Sequence, residues 1–453
     1  MNGDSATRLR ATQGVVERAF HFIVVLWGKR YRDYFLEFCL PSMLSPNNIP
    51  ALRTGRPSKF LIATTPADWE SMRATAIFRL MQKYITPVFI EIPSCPPGQS
   101  GCVHMGIGHK LACEHAFKER AYAAVVTPDS MLSDGSVARM QELAGAGTRL
   151  VLAAALRFGE EPFFDGLRTA GLIPEASARD TGAPVSISSR QMVLAAVNGL
   201  HGETLAYEWD GPYCDLVPSA SWWRVPGEDG MVVYSRSWAP LLIDYDAVSK
   251  HDTSALDNWT IDGDYVYRNI VWREKTYVVQ DSDEIFLASW TPMKDGPPPQ
   301  KPWRILRNRT VRDAVHGAQL RQMEQSFISN PMKREMFFRP VRWHARPLNA
   351  KWREVETESM RTLSAYIEPP ANAGTAVSPA RMQRNVVAIA GVMLQLVQPV
   401  LTIKAYRSAI ARRLRQALGG DRAALRRVGW HLQRMLYGLA GRPFHRQPPP
   451  PPA

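Results

Sequence analysis

Short apolar runs alternate with amphipathic stretches over the first third of the chain. Residues 22–27 (FIVVLW), 60–63 (FLIA), 88–92 (VFIEI), 123–127 (AAVVT) and 150–156 (LVLAAAL) are the runs. Their length, branching and flanking Gly, Pro and Thr predict five buried strands. Between the first two, Tyr31, Tyr34, Phe35 and Phe38 recur at i, i+3, i+4 and i+7, the apolar face of a helix over 31–44 that Pro41 should end or bend. Thr65-Pro66 is a capping hydroxyl before a first-turn proline, and further helices are expected over 107–120 and 137–144. Strand–helix alternation at this spacing implies right-handed crossovers and a mostly parallel sheet covered on both faces. Ligands of such sheets bind beyond the carboxyl ends of the strands, which here carry Trp27-Gly28, Thr64-Thr65 and Pro128-Asp129.

The texture then changes. After a serine-opened helix over 188–199, residues 206–290 read as short aromatic strands separated by Gly, Pro and Asp, an α+β lobe. KDGPPPQKP (294–302) is a linker, and RQPPPPPA at 446–453 reads as a disordered or polyproline II tail. The expected organisation is an N-terminal extension (1–19), an α/β domain (20–160), the aromatic lobe (161–293), linker and basic helices (294–381), basic amphipathic helices (382–441) and the tail (442–453). At 453 residues the chain exceeds one hydrophobic core, which agrees with several lobes.

Charge adds a partner. The net charge of +13 is concentrated after Lys301, and the arginines of 407–434 sit among Leu and Ala at helical spacing. The segment 386–403 is apolar but shorter than the roughly 20 residues of a membrane span. Together these suggest peripheral docking on an anionic membrane surface, with nucleic-acid binding a weaker alternative. Five cysteines at irregular spacing favour a reducing compartment over a disulfide framework. With no long apolar stretch behind the first arginines, the expectation is a cytoplasmic protein, docked at the inner face of the membrane.

Three acidic turns are the candidate chemistry. Asp129, after an apolar strand, can hold Mg²⁺ or Mn²⁺ bridging a diphosphate, because hard cations take oxygen ligands and share them with phosphates. Asp281 and Asp283 in Asp281-Ser282-Asp283-Glu284 fall on one face of an extended chain and can share a cation. His251, Asp262 and Asp264 flank Trp259, a patch suited to sugar hydroxyls and to a general base acting on one of them. Each has a plainer reading as a turn or cap. Cys95, Cys102, His104, His109, Cys113 and His115 lack zinc-site spacing and suit a partly buried helix better. Neither G-x-x-x-x-G-K-[ST] nor G-x-S-x-G occurs, and Met105-Gly106-Ile107-Gly108 lacks the third glycine of a dinucleotide loop.

FIVVLWGKRYRDYFLEFCLPSML, FLIATT and AAVVTPDSMLSDGS resemble the N-terminal half of bacterial GT-A-type glycosyltransferases. The resemblance covers about a third of the chain. It implies a Rossmann-like donor domain binding a nucleotide-sugar at Asp129, and the strand-end residues Trp27, Gly28 and Thr65 are the further candidates for that donor site. It also implies a divalent cation on Asp129, with Asp283 or Asp134 supplying what the missing second aspartate of an Asp-x-Asp turn would. The acceptor would be a glycan or lipid-linked hydroxyl in cell-surface glycan synthesis. The competing expectation is a non-catalytic envelope-assembly protein on the same scaffold.

Overall fold

The computed structural model describes residues 16–174, 182–213, 218–257, 259–261, 263–270, 275–295, 307–324 and 331–367. The basic helices expected over 382–441, the tail 442–453, most of the linker 294–302 and Asp262 lie outside these residues. The chain divides into two compact units. One holds residues 1–304, 327–361 and 369–375; the other holds 305–326, 362–368 and 376–453.

The strands of the first unit, in chain order, are β1 (Phe20–Val25), β2 (Lys59–Thr64), β3 (Thr86–Glu91), β4 (Tyr122–Val125), β5 (Ser130–Leu132), β6 (Leu150–Ala154), β7 (Arg157–Gly159), β8 (Ala220–Arg224), β9 (Gly230–Ser235), β10 (Trp238–Asp244), β11 (Thr276–Val278), β12 (Leu287–Thr291) and β13 (Val341–His344). Its helices include α1 (Lys29–Tyr34), α2 (Pro66–Arg73), α3 (Gly101–Lys118), α4 (Ser136–Gly145), α5 (Glu160–Thr169), α6 (Ser189–Asn198) and α7 (Gly263–Asn269). The fold is mixed α/β, built on a seven-stranded, mostly parallel sheet in the order β11-β6-β10-β4-β1-β2-β3. All five strands expected from the apolar runs are in it. Only β10 runs antiparallel, paired with β4 on one side and β6 on the other. Two three-stranded sheets, β5-β12-β7 and β13-β9-β8, stand beside it.

The apolar runs form strands because both faces are covered. Phe20, Phe22 and Val24 point to one side with Phe60, Ile62 and the α4 residues Val137 and Met140. Ile23, Leu61 and Ala123 point to the other, against Ala112, Cys113 and Ala116 of α3. Burying each large side chain contributes about 1.5–3 kcal/mol. Pro41 does not end its helix. After α1 the coil widens into a π-helical stretch, Phe35–Cys39, where the Leu40 N–H reaches the Phe35 carbonyl. Pro41 then falls in the first turn of the continuation, Leu40–Met43, where its missing N–H costs nothing.

Two glycines decide how closely α3 is packed. A Cβ at Gly108 would lie 2.6 Å from Val25 and 3.0 Å from Ala63, so the helix rests directly on the ends of β1 and β2. A Cβ at Gly106 would lie 2.1 Å from the Leu256 carbonyl oxygen and 2.6 Å from that of Trp259. The Met105–Gly108 motif therefore serves close packing, of backbone on backbone at Gly106 and of backbone on the Val25 and Ala63 side chains at Gly108. In the second unit, α8 (Arg309–Met323) buries Ala314 and Leu320 and passes Gly317 under the Tyr366 ring.

Gly106→Ala should cost about 1–3 kcal/mol, since the obstacles are main-chain oxygens that cannot rotate away. Gly101→Ala, whose Cβ meets nothing within 4 Å, should be neutral or slightly stabilising. Urea denaturation of the two variants checks this, and equal stabilities would refute the packing role.

Candidate functional site

The chain runs β1-β2-β3 toward one edge of the sheet, then returns to place β4 on the other side of β1. The strand order thus reverses between β1 and β4, and a doubly wound sheet opens its ligand crevice at such a point. Gly28 follows β1 and Asp129 follows β4, the two strands on either side of that point. Gly28 takes φ 78°, and its N–H donates to Asp68 Oδ2 at 2.8 Å. Asp68 also accepts from the Thr65 hydroxyl at 2.9 Å and, on Oδ1, from Arg32 at 2.9 Å. Thr65 in turn caps α2 by accepting from the Asp68 N–H at 3.2 Å. One buried carboxylate therefore locks the turns after β1 and β2 together. Trp27 sets its ring edge-on to His104, 4.7 Å between centroids.

Asp129 does not stand free. Arg157, just beyond β6, donates through Nη1 to Asp129 Oδ2 at 2.7 Å and to the Ser289 hydroxyl at 2.6 Å. The Asp129 carbonyl accepts from the Trp290 N–H at 3.2 Å, which ties the turn to β12. The carboxylate holds the Arg157 guanidinium above its ordinary pKa. Burial, and then the charge of Asp129, raises that of Tyr31 on α1. The arrangement is a carboxylate–guanidinium pair with a phenol nearby, at the carboxyl end of a central strand. It can orient a polar ligand by hydrogen bonding.

Asp281 and Asp283 lie beyond the carboxyl end of β11, at the same end of the sheet but three strands from β4. At about 4.8 Å per strand that is roughly 14 Å sideways, which explains why they do not join Asp129. They meet His344 instead, and the three donor atoms lie within 4.8 Å of one another. A second group that could hold a metal, His21, His115 and Glu119, sits at the opposite end of the sheet. There Lys59 is bonded to Glu119 and lies 3.3 Å from His115 Nε2, so an ammonium already supplies the positive charge. His21 accepts the Lys59 N–H on Nδ1 and contacts Glu119 through Nε2 at 2.8 Å, a closed structural cluster.

His251 is also at that far end. Because β10 is antiparallel, the chain leaves it where the parallel strands begin, and His251 stacks on Phe117 at the end of α3. It shares a buried network with Tyr265 (2.7 Å) and, through Tyr265, Tyr245 (2.9 Å). The chain then returns along α3 to Thr260 and Ile261, both bonded to His109 Nδ1. Asp264 lies in α7. Asp134 is spent on Asn47, whose backbone and side-chain amides both donate to it. A cavity of about 580 Å³ lies along the other flank of α1, lined by Tyr34, Phe38, Glu160, Phe164 and Arg168 and not by Gly28 or Asp129. The residues that the sequence did not reveal are Asp68, Arg157 and His344. The first was legible as a first-turn acid after a cap; the other two meet their partners only through the fold.

No family model matches the chain, and no curated protein does. Among solved structures, a Bacillus anthracis protein described as a candidate glucose-1-phosphate thymidylyltransferase, crystallised with sucrose, is 12% identical over 32% of this chain and 57% of its own length, with a TM-score of 0.20. This chain thus spans little more than half of that protein, and a likeness so slight does not bear on activity. No helix among the described residues is long and apolar enough to cross a membrane.

Burial lowers the pKa of His109 to about 3. The neutral ring is the folded form, so its contribution is fully present above the unfolded value near 6.5 and is lost as pH falls toward 3. At pH 5 that loss is about 2 kcal/mol. Denaturation at stepped pH should show His109→Gln losing about that much less than the native chain between pH 7 and 5; parallel curves would contradict it.

Proposed function

We propose that the chain is a glycosyltransferase that moves a sugar from a nucleotide-sugar donor to an acceptor hydroxyl. The observation that carries this reading is the reversal of strand order between β1 and β4, with the Gly28 turn following one strand and the Asp129–Arg157 pair following the other. In this reading Trp27, Gly28 and Thr65 bound the nucleoside, and Asp129 faces the diphosphate. A divalent cation on Asp129 would bridge to the diphosphate, with Arg157 holding that carboxylate in place.

The acceptor side falls to the segment carrying Asp262 and Asp264, whose approach, Thr260–Ile261, is pinned to α3 by His109. His251 is left out of the chemistry because its imidazole is engaged at the opposite end of the sheet. Residues 20–160 would then bind the donor and 161–293 the acceptor, with 382–441 docking on anionic lipid.

A thermal-shift panel of UDP-, GDP-, CMP- and dTDP-sugars, with and without Mn²⁺, tests the donor class, followed by donor hydrolysis. One sugar nucleotide should raise Tm, and Asp129→Asn should lower turnover about 100-fold or more, the scale of a lost electrostatic group at a reacting centre. A panel with no shift would overturn the reading. Binding without turnover would favour the non-catalytic scaffold.

A further inference from the structure

We infer that Asp281, Asp283 and His344 form a binding site for one transition-metal dication, Mn²⁺ or Zn²⁺, separate from the β1–β4 crevice. The inference needs no nucleotide-sugar and stands apart from the proposed activity.

The imidazole carries it furthest. His344 ends β13 with its side chain only 2% exposed. Its Nδ1 bonds the Arg346 carbonyl at 2.8 Å, which fixes the ring and the tautomer and turns Nε2 toward the two carboxylates. A hydrogen bond from the other ring nitrogen to a carbonyl is the contact that metal-binding histidines generally make. Nε2 lies 2.8 Å from Asp281 Oδ1 and 4.0 Å from Asp283 Oδ2. Donors at adjacent positions around an ion with bonds of about 2.1 Å are roughly 3.0–3.4 Å apart, so the observed separations straddle the required one. The frame is built from three directions. The Ser282 hydroxyl accepts the His344 N–H at 3.1 Å, the Asp283 N–H closes on Asp281 Oδ1 at 2.9 Å, and the Ser282 N–H donates to the Arg342 carbonyl at 2.9 Å.

One imidazole with two carboxylates selects first-row transition metals over Mg²⁺, which prefers an all-oxygen, water-rich shell. Two aspartates balance the charge of the dication. The carboxylates are 26% and 37% exposed, so the open face leaves coordination positions for water or a phosphate oxygen. Arg190 covers the outer side of Asp283 with contacts of 2.6–3.1 Å, yet it is 43% exposed and can swing away at little cost. It is therefore a competitor for the site. Held there, a metal would clamp the β11–β12 loop to β13, and β12 carries the Ser289 and Trp290 contacts to Asp129 and Arg157.

The test uses the full chain, stripped with chelator and titrated with Mn²⁺, Zn²⁺ or Mg²⁺ alone. Calorimetry and the loss of the free Mn²⁺ spin-resonance signal read binding. One equivalent of Mn²⁺ or Zn²⁺ should bind, with Mg²⁺ at least tenfold weaker. His344→Gln and Asp283→Asn should each weaken Mn²⁺ at least tenfold; the exposed Asp283 keeps the test open if the buried His344 variant misfolds. Arg190→Gln should tighten binding two- to fivefold by removing the competitor, and Glu119→Gln should leave it unchanged. No stoichiometric binding, binding indifferent to Asp283→Asn, or binding abolished by Glu119→Gln would each overturn the assignment.

Discussion

A single strand direction governs what can meet in this molecule. β10 enters the middle of an otherwise parallel sheet backwards, and its pairing with both β4 and β6 leaves it no alternative register without exposing backbone groups in the core. Its end is secured by Asp244, which accepts from Arg18 and, through its backbone N–H, bonds the Arg149 carbonyl at 2.8 Å. The reversal sends residues 245–251 to the end of the sheet where the parallel strands start. To come back, the chain must cross α3, and the crossing is possible only because Gly106 presents no side chain.

The same reversal explains what was legible in the sequence. Runs such as FIVVLW and LVLAAAL announced strands because parallel strands covered on both faces need continuous apolar residues, and Asp129 and Gly28 were visible as their punctuation. Nothing local marks 238–244 as a central strand of the first sheet; its PLLID could equally belong to a separate lobe. His251 read as part of a sugar-binding patch with Asp264; the fold instead turns its ring into a buried contact with the Tyr265 hydroxyl, which sequence proximity does not disclose. Arg157 and His344 act through partners 28 and 63 positions away, a relation no periodicity encodes.

A recurring theme is that carboxylates here are matched by cations the chain itself carries. Glu119 has Lys59, Asp129 has Arg157, Asp68 has Arg32 and Asp283 has Arg190. The pairs differ in exposure, and that sets their permanence. Asp68 is buried and holds three donors, so removing either member of its pair would strand a charge. Arg190 and Asp283 are both solvated, and such a pair is worth little more than thermal energy. Exposure thus separates architectural pairs from exchangeable ones.

The π-helical stretch at Phe35–Cys39 has a bearing on how this chain tolerates insertion and deletion. Each residue in a regular helix turns its successors by about 100° around the axis. The wide turn absorbs such a step, and the rotational phase it sets is what aims Ser42 at the Leu132 N–H and the Ser42 carbonyl at Asn48. A single-residue deletion there would restore ordinary winding while swinging the hydroxyl away from β5 and the carbonyl away from Asn48. The segment is consequently a reading frame of geometry, in which length matters more than residue identity.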